Sequence, residues 1–378
     1  MQEVKPRIKI FDIAKGISII LMTISHYPFL MDYKGLLSFN MVALVIKMPL
    51  FIFISGYLLS NRLNFRDFFH NKFDGLIKPL LAFLISLTLL NIIFYSITTT
   101  NFSTNGVLEF VNAFFNVFYF FDLEYVNYTF WFIIALFVGQ IVVKGALEML
   151  KIKKPNNYIL LGVLVILLAL LSTLNSEFYY LGYVPIFVAY LVAGYVCNII
   201  LKKYFQGSQV FYNKKMIVFL ILFILGLLVV FKDGISVKVD IYYFIYNFHY
   251  KLVLSVIGVF AIIYLCTFIE KIPFINKALI YCSRASFFIL AYHLFFIKVF
   301  DFLFDLKTYN PWFHTVLFFA NIALCCFIYE GLKKVKVVRL FFYPIKTIEF
   351  SNIEYRLFQI KFFHILFPKD VVLQKVKK

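Results

Sequence analysis

Apolar residues fall in long runs parted by short polar segments, and ten of the runs approach the about 20 residues a helix needs to cross a bilayer. They lie near 13–31, 41–60, 77–98, 128–147, 158–175, 182–201, 216–232, 252–270, 286–302 and 312–331. The pattern predicts an all-α, polytopic transmembrane helix bundle, with the aromatic stretch Phe114–Phe121 as an extra re-entrant or interfacial piece. An even number of crossings puts both termini on one side.

The polar segments choose that side. Those sharing a face with the N-terminus hold 30 of the 37 Lys and Arg residues, so both termini are expected in the cytoplasm. This sorting also explains a net charge of +18, which in a soluble protein would suggest nucleic acid. Here no nucleic-acid partner is expected; the lipid bilayer is. With 63% hydrophobic and 15% charged residues, the chain is too apolar for a soluble globule. The first run is too long for a cleavable signal and no small-residue cleavage site follows it, so it reads as a signal anchor in the plasma (inner) membrane. The five cysteines have no C-x-x-C spacing, and no histidine pair has ligand spacing, so neither a disulfide framework nor a metal site is indicated. Residues 336–378 alternate basic and aromatic positions and read as an interfacial cytoplasmic tail on anionic lipid, following a transmembrane domain over 8–335.

Ionisable groups inside a span are costly and are functional candidates by default. His26 lies deep in the first run, eleven residues after Lys15, a separation that brings two helical residues back to within about 20° of one face. Asp12 lies three residues before Lys15 and can pair with it. A cation at the mouth can hold an anionic donor, and a deeper histidine can act as base or nucleophile. A packing histidine is the competing reading. His293, in the ninth run, either faces the same cavity or packs. In the second run, Pro49 interrupts the ladder and Ser55–Gly56 permits close helix approach. The segment after it carries Arg62, Arg66, Lys72 and Lys78, which suit phosphates but also serve topology. Ser55, Trp131 and Tyr292 are candidate cavity-lining residues.

The string FDIAKG at Phe11–Gly16, continued to ISH at Ile24–His26, resembles the first-helix signature of the acyltransferase 3 family. MPLFIFISGYL at Met48–Leu58 is similar to the same family, especially its fucose 4-O-acetylase-like branch. WFIIALF at Trp131–Phe137, YLVAGY at Tyr190–Tyr195, the Ser286-to-His293 spacing and Glu330 add weaker matches. Two positions depart from the pattern: Lys15 stands where many members have Arg, and Gly75 takes the second place of an Arg-x-x-Arg pair whose first is Lys72.

The resemblance implies a membrane enzyme with no bound cofactor that takes an acyl group from acetyl-CoA, or another acyl-CoA, as donor substrate. The acceptor is a hydroxyl on a glycan of the cell envelope. His26 becomes the catalytic residue, Lys15, Lys72 and Lys78 donor contacts, and Asp12, Ser55, Trp131, Tyr292, His293 and Glu330 supporting positions. The expectation is O-acylation of a cell-surface polysaccharide or its lipid-linked precursor. An exporter of such intermediates, or a non-catalytic partner of a polysaccharide synthase, are the alternatives.

Overall fold

A computed structural model describes residues 8–27, 34–60, 62–98, 129–149, 184–205, 207–232, 248–306 and 311–348. Among them there is no strand. The helices are α1 (Lys9–Ile24), α2 (Lys34–Tyr57), α3 (Phe65–Lys72), α4 (Lys78–Thr98), α5 (Trp131–Met149) and α6 (Val184–Tyr204). There follow α7 (Ile217–Lys232), α8 (Phe248–Ile269), α9 (Pro273–Arg284), α10 (Ser286–Phe304), α11 (Pro311–Lys334) and the short α12 (Arg339–Phe342). A π-helical turn, Phe73–Ile77, joins α3 to α4 without a break. Six helices among the described residues are long and apolar enough to cross a membrane, and Val45–Tyr57 is a shorter apolar helix. The runs expected at 158–175 and Phe114–Phe121 lie outside the described residues.

The local signals act where expected. Asn64 caps α3 by accepting from the Asp67 amide at 2.8 Å, and Pro273 opens α9, where its missing N–H costs nothing. On α7, Ile217, Val218, Ile221, Leu222, Leu225 and Leu228 are exposed. A water-soluble surface does not carry such a face; lipid accommodates it. The chain is an all-α membrane helix bundle.

At its centre is α1, which packs against α2, α8, α9 and α10. α2 also packs closely on α6. There Gly56 faces the backbone of Leu191, and Gly194 faces that of Phe53; a Cβ on either would stand 2.1 Å from a carbonyl oxygen. Packing in lipid rests on such close approach rather than on water exclusion. Gly194→Ala should therefore force the two helices apart and lower stability by about 1–3 kcal/mol. A drop in the detergent unfolding midpoint checks this; an unchanged midpoint would show that the contact is slack.

α1 is shorter than its apolar run. It ends at Ile24, and His26 and Tyr27 donate their amides to Thr23 and Ile24 in tightened turns, each 3.1 Å. Pro28 follows, with no N–H to continue the ladder and a ring that disfavours helix at the residue before it. His26 thus sits in a turn beyond the helix, and the expectation that Lys15 and His26 share one continuous helical face is corrected. Nor does packing stop at 335. Leu340, Tyr343, Ile345 and Ile348 are buried, and α12 lies against α4.

Candidate functional site

Where α1, α2, α5 and the turn before α4 meet the ends of α9 and α11 and the segment 339–348, they leave a cavity of about 1010 Å³. Five cationic side chains line it: Lys15 from α1, Lys72 from α3, Arg284 from α9, Lys333 from α11 and Arg339 from α12. Among the described residues, Asp12 is the single acidic residue on the wall. The Lys15 ammonium stands 5.4 Å from the centroid of the Phe51 ring, and the Lys72 ammonium 5.2 Å from that of Phe68. Gly75, on the π turn, also lines the wall, and open space surrounds its Cα where a side chain would project. Gln140 of α5 contributes a buried amide oxygen that accepts no hydrogen bond among the described residues.

One wall of this cavity is built from distant sequence. Lys78 donates to Asp74 at 2.5 Å and to the Tyr343 carbonyl at 2.7 Å, while the other Asp74 oxygen accepts from the Ile345 amide at 2.9 Å. Asp74 and Lys78 are 7% and 8% exposed, so the pair acts as an internal rivet that holds Tyr343–Ile345 against α4. Tyr343 in turn donates its hydroxyl to the Tyr329 carbonyl. Burial, reinforced by Tyr329 and Glu330, keeps the Tyr343 phenol above its ordinary pKa and therefore protonated as that donor.

Deeper along the same helices lies a second cluster. The rings of His26 and His293 are 5.4 Å apart, centroid to centroid. His293, on α10, is buried and shares its Nδ1 between the carbonyls of Ile289 and Leu290 at 2.8 and 3.0 Å. Carbonyl oxygens only accept, so Nδ1 carries the hydrogen and Nε2 keeps a lone pair. That Nε2 is buried and has no hydrogen-bond partner among the described residues. Asn321, fully buried on α11, donates to the His293 carbonyl at 2.9 Å and to the Tyr27 hydroxyl at 3.0 Å. One amide thus ties the segment after α1 to α10 and fixes the spacing of the imidazoles. A buried lysine, Lys47 of α2, bonds to Ser25 beside them.

A family model described as an acyltransferase domain matches residues 8–330. The chain belongs to the acyltransferase 3 family. It is a multi-pass membrane acyltransferase. No curated protein and no solved structure matches it.

Of the residues singled out in the sequence, the acyltransferase gathers Asp12, Lys15, Ser55 and Lys72 on the cavity wall. His26 and His293 form the deeper pair. The rest lie elsewhere. The Lys78 ammonium is taken up by the Asp74 rivet and is not on the wall. Trp131 packs on Phe132 and Phe187, Tyr292 shares a 2.8 Å hydrogen bond with Ser86, and Glu330 lies within electrostatic reach of Tyr281. In the sequence, Arg284, Lys333 and Arg339 count only toward orientation, because nothing local ties them to Lys15. Asn321, Gln140 and Lys47 were missed altogether. Lys47 alone carried a signal: it is a charge near the middle of an apolar run.

Proposed function

We propose that this acyltransferase binds acetyl-CoA in the basic cavity, from the cytoplasmic side of the plasma membrane. It then moves the acetyl group to a hydroxyl of a cell-surface polysaccharide or its lipid-linked precursor. The observation that carries the reading is a large cavity lined by five cations among the described residues, with paired imidazoles further along the helices that wall it. The nucleotide end of CoA carries several phosphate charges, for which Arg offers a fork and Lys a point charge. The amide groups of its pantetheine arm suit an acceptor such as the Gln140 oxygen.

In the reaction, His26 takes the proton of the acceptor hydroxyl, whose oxygen attacks the thioester carbonyl. The C–O bond forms, the C–S bond breaks, and the CoA thiolate recovers the proton from the imidazolium. His293, with its hydrogen held on Nδ1, offers a second neutral acceptor next to His26.

Membranes containing the protein, incubated with radiolabelled acetyl-CoA and envelope glycan, should place label in the glycan. Unlabelled glycan together with failed glycan export in a deletion strain would replace this reading by the exporter. The cavity makes its own prediction. Arg284→Ala and Arg339→Ala should each raise KM for acetyl-CoA about tenfold, the worth of one charge-assisted hydrogen bond of about 1.5 kcal/mol, with kcat within about twofold. An unchanged KM in both variants would move the donor out of this cavity.

A further inference from the structure

Lys47 is 8% exposed and stands ten residues before the end of α2, about 15 Å along the helix and so near mid-bilayer. Its ammonium donates to the Ser25 hydroxyl at 2.5 Å, the residue directly before His26, and its charge lies within electrostatic reach of both imidazoles. No carboxylate pairs with it among the described residues. An ammonium has three donors, and Ser25 uses one. A buried cation whose partner among the described residues is a neutral hydroxyl is an expensive arrangement, and one that a negative charge arriving at this spot would relieve.

The position connects it to the cavity. Lys47, Phe51 and Ser55 lie at i, i+4 and i+8 on one face of α2, and Phe51 and Ser55 line the cavity. Lys47 is therefore one helical turn, about 6 Å, beyond the cavity wall. The backbone there is fixed as well: the Ser18 hydroxyl of α1 donates to the Lys47 carbonyl, just before Pro49.

We propose that Lys47 is a catalytic residue that stabilises the tetrahedral oxyanion of acyl transfer. This rests on the acyl-transfer reading given above. As the acceptor oxygen bonds to the thioester carbon, the carbonyl π pair moves onto oxygen, which accepts a hydrogen bond from the Lys47 ammonium. When that pair returns, the C–S bond breaks, the thiolate leaves, and it takes the proton held on the imidazolium. Nothing is oxidised or reduced, and Lys47 ends as it began. The charge develops only between reactant and product, so the interaction favours the transition state over the bound thioester.

The test uses the full-length protein in nanodiscs, acetyl-CoA as donor and alkali-deacetylated envelope polysaccharide as acceptor. Lys47→Met should lower kcat by about 10²–10³, the usual effect of losing one oxyanion donor. KM for acetyl-CoA should stay within about twofold, as should the affinity for S-ethyl-CoA, which has no carbonyl. Ser25→Ala, which removes only the hydroxyl partner, should lose less than about fivefold. Lys47→Gln keeps a donor for Ser25 without the charge and should fall with Lys47→Met; it also serves if the Met variant does not fold. Wild-type kcat in either Lys47 variant, or an equal loss in Ser25→Ala, overturns the role while active wild type leaves the acyl-transfer reading standing. A wild-type protein that transfers no acetyl group to this polysaccharide overturns both.

Discussion

His26→Ala should abolish acetyl transfer, with kcat at least about 10³-fold below wild type and the protein still inserted and monodisperse. The expectation follows from what surrounds the ring. His26 is half-buried at the end of α1, so its loss opens no large cavity in the core. Tyr27, by contrast, is buried and anchored to Leu317 and Asn321, and it keeps the turn in place without the imidazole. Radiolabel counted in the glycan against matched amounts of membrane protein measures the effect. Activity within tenfold of wild type would remove His26 from the chemistry. His293→Gln makes the companion comparison, because it keeps a polar group on α10 but loses the Nε2 lone pair.

Asp74→Ala should be the change most damaging to stability. It leaves the Lys78 ammonium buried without its carboxylate and deprives the Ile345 amide of its acceptor. Removing one partner of a buried pair costs about 3–5 kcal/mol, well above any surface ion pair. The unfolding midpoint should fall accordingly. Because the rivet also holds the Tyr343–Ile348 wall, KM for acetyl-CoA should rise in the same variant. Replacing both partners with apolar residues, Asp74→Leu with Lys78→Met, should recover most of the stability. If KM stays high in that double variant, the Ile345 amide contact is what shapes the wall; if it recovers, the unpaired charge was the fault.

The helical framework was legible because lipid imposes it. A run such as Ser286–Phe304 has no other way to satisfy its backbone, and it emerges as one helix. The FDIAKG string led to Lys15 on the cavity wall, yet phasing by 3.6 residues could not place His26, since α1 ends at Ile24. What stayed hidden were contacts between remote segments. Arg339 lines the same cavity as Lys15 across more than 300 residues of chain, and Asn321 meets Tyr27 across 294. No periodicity encodes such meetings. Lys78 shows the converse: its position and charge suited a phosphate, but the carboxylate one turn earlier already occupies it.

The wall formed by Lys333, Arg339, Tyr343, Pro344, Thr347 and Ile348 lies past residue 330, where the match to the acyltransferase domain ends. The imidazole pair sits wholly inside the matched region, whereas part of the cavity wall is lent by a segment beyond it. Substitutions in that segment are then a way to reshape and recharge the cavity from outside the matched region while leaving the two imidazoles in place.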